Sequence, residues 1–191
     1  MDAKLLDSHC HLGSPQYRDD LDQVVQRARD AGVGTIVTIG SGYGLDGNER
    51  AVEIAHRYDD VYAVVGAHPH EASQVGPGDL DRIAALTRDA RVLAWGECGL
   101  DYHYDRSPRG VQRAVFREQI GRARALDLPL VLHIREAEED ALRILDEGDA
   151  WAGRVLVHCF THDWPFAREI LERGGFLSVP GVVTYKNAQA M

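Results

Sequence analysis

Seven short, nearly uninterrupted runs rich in Val, Ile and Leu punctuate this chain, at 4–7, 33–40, 61–68, 91–97, 129–133, 154–158 and 175–179. They lack the apolar–polar alternation of a half-exposed strand. A strand that reads this way is covered on both faces, as in a parallel sheet flanked by helices. Amphipathic stretches lie between the runs. In 19–31, Leu21, Val24, Val25 and Ala28 share one helical face, and Gly32 supplies a stop. Ser107 and Pro108 predict the N-cap and first residue of a helix reaching about Leu126, with Val111, Val115, Phe116, Ile120 and Ala123 inward. The acidic residues from Glu136 onward suit the first turn of a helix over 136–145, and a further helix over 163–173 precedes Gly174-Gly175. Strict alternation of this kind predicts an α/β fold with a parallel sheet. Pattern alone leaves a closed barrel and an open doubly wound sheet as alternatives.

The 191 residues support one domain, and no window holds the ~18 consecutive apolar residues that span a bilayer. With an acid near the N-terminus where a signal peptide would be basic, a soluble, cytoplasmic protein with no membrane partner is expected. Twenty-one basic residues against thirty acidic ones give a net charge of −9. That sign disfavours a protein that passively coats nucleic acid. It leaves room for an enzyme that meets phosphates at one local pocket. Cys10, Cys98 and Cys159 do not suggest a disulfide scaffold, and each reads as a small buried residue.

His9, His11, His68, His133 and His158, together with Glu97, fall at or just past the C-terminal ends of the apolar runs. Parallel α/β folds build their sites on that edge. Alternate residues of a strand share a face, so His9 and His11 can reach one ion while Cys10 turns away. No Gly-x-Ser-x-Gly elbow is present, and the Gly-rich stretch from Gly40 to Gly44 lacks the Lys-Ser/Thr of a P-loop. Imidazoles with a carboxylate point instead to one or two divalent metals activating water.

Asp7-Ser8-His9-Cys10-His11-Leu12, Gly66-Ala67-His68-Pro69-His70, Gly96-Glu97-Cys98-Gly99-Leu100-Asp101-Tyr102, His133-Ile134-Arg135-Glu136-Ala137 and His158-Cys159-Phe160-Thr161 occur in this order. Together they resemble the successive signatures of the TatD-type metal-dependent hydrolases, within the amidohydrolase-like barrels. The resemblance implies a TIM-type (β/α)8 barrel and a deoxyribonuclease or related phosphodiesterase. It implies two divalent ions (Zn, Mg or Mn), one held by His9, His11 and Glu97, the other by Glu97, His133 and His158. His68 matches a site histidine that contacts phosphate or assists proton transfer, and Arg135 a phosphate-contacting position. His70 and Asp101 match positions read as structural first. DNA ends or single strands, and also RNA, are the implied substrates. A native carboxylate on the fourth run, where related barrels carry a modified Lys, favours this family over its dihydroorotase-like and phosphotriesterase-like relatives.

The family's Glu-Thr-Asp motif on an eighth strand finds no match through Met191. The expectation is therefore a single barrel domain over 1–191, C-terminally truncated relative to the family, with seven strand units and open edges at the first and seventh. Such a barrel, if complete, is expected to be monomeric. Two other readings stay open: a barrel hydrolase of a C–N, ester or lactone bond, and a catalytically impaired metal-binding form. Arg109, Arg113 and Arg117 read as a solvated helix face rather than a nucleic-acid track. Trp95, Trp151 and Trp164 read as packing, and His56 and His103 as surface or packing residues. His162 stands where the family usually has Gly.

Overall fold

All seven apolar runs form strands in the computed structural model, which describes residues 5–151 and 154–188. They are β1 (Leu5–Cys10), β2 (Val33–Ile39), β3 (Val61–Val65), β4 (Val92–Asp101), β5 (Leu130–Arg135), β6 (Val155–Val157) and β7 (Phe176–Leu177). Among the described residues they make one sheet in the order β1 to β7, every neighbouring pair parallel. Lys4, the expected start of the first strand, lies outside the described residues. The connecting helices are α1 (Leu21–Asp30), α2 (Gly47–Arg57), α3 (Asp79–Leu86), α4 (Arg109–Ala125), α5 (Glu138–Glu147) and α6 (Trp164–Glu172).

The sheet curls. His9 of β1 stacks on His158, just past β6, with ring centroids 3.7 Å apart, although β1 and β6 are not neighbours in the sheet. This is the incomplete TIM-type barrel expected from the sequence, its edges β1 and β7. Leu5, Leu6 and Phe176 are exposed along those edges. No helix among the described residues is long and apolar enough to cross a membrane.

The apolar residues divide by strand parity. Val65, Trp95, Leu132 and Val157 face the helices in one large core with Phe116 and Ile120 of α4. Val37, Ile39, Val64, Ala94 and Val131 form a smaller inner cluster beneath the site. Each fully buried large side chain contributes about 1.5–3 kcal/mol, so the helix-facing core supplies most of the apolar stabilisation.

Several local expectations shift. Pro108 is itself the N-cap of α4, so the helix begins one residue later than the Ser107–Pro108 pair suggests. Val111 is then exposed, and Gln112 and Gln119 take inward positions among Phe116, Ile120 and Ala123. Trp95 is buried as expected, whereas Trp164 stands exposed at the first position of α6. Cys98 is buried and Cys10 half-buried, but Cys159 is exposed. It follows the end of β6 in a left-handed backbone (φ 48°), where strand alternation no longer applies. Arg109, Arg113 and Arg117 pair with Asp105, Asp140 and Glu147, consistent with a charged helix face.

Candidate metal centre

Glu97 reaches the barrel interior because β4 carries a bulge. Its pairing with β5 passes from Gly96↔Val131 to Cys98↔Leu132, leaving Glu97 as an extra residue. Trp95, Cys98 and Leu100 all face the helix layer, an arrangement simple alternation forbids for residues three apart. Without the bulge, Glu97 would share a face with Trp95. With it, Glu97 turns inward among the histidines. A bulge strands backbone polar groups, and here Ser41 satisfies them: its Oγ accepts from the Glu97 N–H at 3.1 Å and donates to the Glu97 carbonyl at 3.2 Å.

The same device recurs at neighbouring strand ends. The Asn48 side chain bonds both backbone groups of Gly66. Gln119 does so for Ala67, and also accepts from the Trp95 indole. Gln112 does so for Asp101. Ser41, in the loop after β2, and polar side chains of α2 and α4 thus fix the backbones at and beside His68, Glu97 and Asp101.

Around Glu97, 2% exposed, five imidazoles converge. Its Oε1 lies 2.5 Å from His158 Nε2, 3.0 Å from His133 Nδ1 and 3.5 Å from His68 Nε2. Its Oε2 lies 3.3 Å from His9 Nε2 and 3.9 Å from His11 Nε2. Ligand atoms mutually within 4.8 Å form two sets that cut across this division, His9–Glu97–His158 and His68–Glu97–His133. Arg135 stands apart at the exposed end of β5, its guanidinium 4.8 Å from the Tyr104 ring centroid.

Two residues read as structural from the sequence complete the arrangement. The Asp101 carboxylate, fully buried, accepts through Oδ2 from His133 Nε2 at 3.0 Å and His70 Nε2 at 2.9 Å. Its Oδ1 accepts from the backbone N–H groups of His103 and Tyr104. With Nε2–H held by Asp101, His133 turns Nδ1 toward Glu97 Oε1, donating to it in the metal-free ring; a bound ion would take the place of that Nδ1 proton. The inward sequence of the bulged strand, Glu97, Gly99, Asp101, was the available signal. Gly99 carries φ +136°, and a Cβ there would stand 2.0 Å from the His133 carbonyl. Glu71 was missed altogether. Buried, it accepts from Gly44 N–H at 2.6 Å and Gly42 N–H at 3.3 Å, pinning the Gly-rich loop beside the 3-10 turn Pro69–Gln74 that follows His68.

Electrostatics set the protonation states. Burial alone would raise the Glu97 pKa, yet hydrogen bonds with His133, His158 and His68 hold it well below the carboxylate range. Burial also opposes charge on His133, but the flanking Asp101 and Glu97 carboxylates raise it to about 9. Burial pushes His11 down to about 4 and lowers His158. His68 Nδ1 accepts from the His70 N–H at 3.1 Å, so the neutral ring carries its proton on the Nε2 that faces Glu97.

The donor set fits divalent cations. Both His9 ring nitrogens and His11 Nδ1 are buried without a hydrogen-bond partner, a costly state for polar atoms that a ligated ion relieves. Tetrahedral ligands about 2.0–2.1 Å from zinc stand roughly 3.3 Å from one another, close to the observed His9–Glu97 separation of 3.3 Å.

The family described as TatD related DNase matches residues 6–191. A Bacillus subtilis protein described as the uncharacterized metal-dependent hydrolase YabD is 42% identical over 185 residues, spanning 97% of this chain and 72% of that protein. The 3'-5' ssDNA/RNA exonuclease TatD of Cronobacter sakazakii is 38% identical over 180 residues, spanning 94% of this chain and 67% of that one. The crystal structure of YJJV, a TatD homolog from Escherichia coli K12, superposes with a TM-score of 0.89 at 30% identity, over 97% of this chain and 71% of that one.

Proposed function

Because this chain belongs to the TatD-related DNase family of metal-dependent hydrolases, we propose that it cleaves single-stranded DNA from an end, and RNA by the same chemistry, using two divalent cations. The observation that carries this reading is one buried carboxylate set among five imidazoles, with the His9 nitrogens left without partners. His9 and His11 would hold one ion against Glu97 Oε2, and His133 and His158 the other against Oε1. When bound, the cations supply Lewis acidity, lowering the pKa of a water toward neutrality and offsetting charge on the phosphate. The imidazole-rich set favours Zn²⁺ by affinity, with Mn²⁺ or Mg²⁺ as alternative working ions.

The protein's own groups do the rest. Asp101 holds the His133 Nε2–H, so that Nδ1 is the nitrogen whose lone pair would meet a bound ion. His68, its Nδ1 engaged by backbone, offers Nε2–H as a donor to a phosphate oxygen instead of a lone pair to a metal. Arg135 on the rim adds positive charge where the backbone of a strand would enter. With a net charge of −9 on the chain, these local groups are decisive for holding phosphate.

The test is release of a 3'-terminal label from single-stranded DNA by the metal-loaded chain. Cleavage that disappears with Glu97→Ala supports the reading. Hydrolysis of amides or lactones with no release from DNA would overturn it.

A further inference from the structure

Most arginines of this protein face a carboxylate, as Arg109, Arg113 and Arg117 do. Arg106 and Arg135 make no ion pair among the described residues. They meet at a single aromatic ring, Tyr104, with their guanidinium carbons 5.5 and 4.8 Å from its centroid. In a chain of net charge −9, two cations without an ion pair, gathered on one ring, are open to an anionic ligand.

The ring is both open and fixed. It is 51% exposed, while T-shaped contacts with the rings of His70 and His103, at 5.6 and 4.7 Å, hold it in place. Its backbone N–H donates to Asp101 Oδ1 at 2.8 Å, the carboxylate whose other oxygen orients His133. One buried residue therefore positions both the aromatic plane and a candidate metal ligand. A cleft of about 300 Å³, lined by His133, Arg135, His158 and Thr161, joins this rim to the histidine cluster. Of the three tryptophans, Trp95 is buried, Trp151 packs against Arg173, and Trp164 is exposed at the start of α6.

An aromatic face flanked by free guanidinium groups has the chemistry of a nucleotide subsite. A base stacks on the π-face, and the planar guanidinium forks match phosphate oxygens. We propose that Tyr104, Arg106 and Arg135 bind the nucleotide adjoining the cleaved phosphodiester of single-stranded DNA, Tyr104 stacking its base and the two arginines holding its phosphates. This rests on the nuclease reading above and adds where the strand lies. As the strand arrives, the arginines exchange the ring for phosphate and free the ring face for the base.

The test is fluorescence anisotropy of a labelled oligodeoxyadenylate and an abasic strand of equal length, bound to the full chain with EDTA present so that both stay intact. Tyr104→Ala is expected to weaken the base-bearing strand about tenfold, within the range of stacking on one aromatic residue, and the abasic strand by less than about twofold. Tyr104→Phe restores binding, since the phenyl face still stacks. Arg106→Ala and Arg135→Ala weaken both strands. Circular dichroism confirms that the exposed Tyr104 can be replaced without loss of fold. For Tyr104→Ala, equal losses on both strands, or none on either, overturn the subsite. If the metal-loaded parent cuts DNA while Tyr104→Ala binds it normally, the subsite fails and the nuclease reading stands. A parent chain that neither binds nor cuts DNA overturns both.

Discussion

Replacing Asp101 by Asn tests how the site prepares an imidazole for metal. The two residues are nearly isosteric, and the backbone N–H groups of His103 and Tyr104 keep the amide oxygen in the place of Oδ1. The amide nitrogen must then face His133 Nε2, 3.0 Å away, and His70 Nε2, 2.9 Å away. An amide nitrogen only donates, so His133 has to accept at Nε2 and carry its proton on Nδ1. The neutral ring then turns an N–H, in place of the lone pair an ion needs, toward Glu97 Oε1 3.0 Å away. Loss of a partner behind a ligating histidine costs about 10–100-fold in metal affinity, or about 1.4–2.8 kcal/mol at 1.4 kcal/mol per tenfold. Zn²⁺ titration of the Asp101→Asn chain against a chromophoric chelator measures this directly, with near-UV circular dichroism reporting the fold. Affinity within about threefold of the parent in a folded variant, well short of that range, would refute the tautomer argument.

Three further outcomes follow from the same geometry. Loading the metal-free chain with an ion at about one hundred times its Kd should stabilise it by about 2.7 kcal/mol, raising Tm by roughly 5–11 °C for a chain of this size. A scan with and without EDTA reads this shift, and no shift would place the ion elsewhere. Gly99→Ala drives a Cβ to 2.0 Å from the His133 carbonyl at φ +136°. Backbone strain of about 1–3 kcal/mol and overpacking of about 1–3 kcal/mol should lower urea stability by their sum, and a neutral result would mean the strand yields freely. Glu71→Ala leaves the Gly42 and Gly44 N–H groups without their acceptor, a loss of about 1–3 kcal/mol. Faster hydrogen exchange confined to residues 40–44 and their neighbours is the expected signature.

The strands were legible because a doubly covered strand has to be apolar throughout, which composition alone marks. The histidines were legible for a related reason: each stands at the end of such a run. Glu97 could be assigned to the cluster from its place at the end of the fourth run, but the reason it points inward was not visible. Counting by twos from Trp95 sends Glu97 into the helix layer, and only the bulge, seen in the β4–β5 register, reverses this. No residue type announces that extra residue. Gln112 and Gln119 were passed over because apolar side chains define a buried helix face, whereas these two serve the stranded backbones of Asp101 and Ala67. α2 and α3 were implied as crossovers without boundaries. Trp164 is exposed although large aromatic residues usually pack, because it begins α6 at the rim.

The stacking of His9 on His158 also bears on when an ion can be captured. One partner comes from the first strand and the other follows the sixth, so they meet only after the intervening strands have paired and curled. Bringing together ligands so distant along the chain has to overcome loop-closure entropy before their contact returns anything. A ribosome-bound chain ending before residue 158 lacks His158 and its end of this pair. Completion of the proposed ion sites that these two residues serve would thus be a late event, a seal on a nearly finished sheet rather than a seed for it, and the rate of loading should track the closure of the curl.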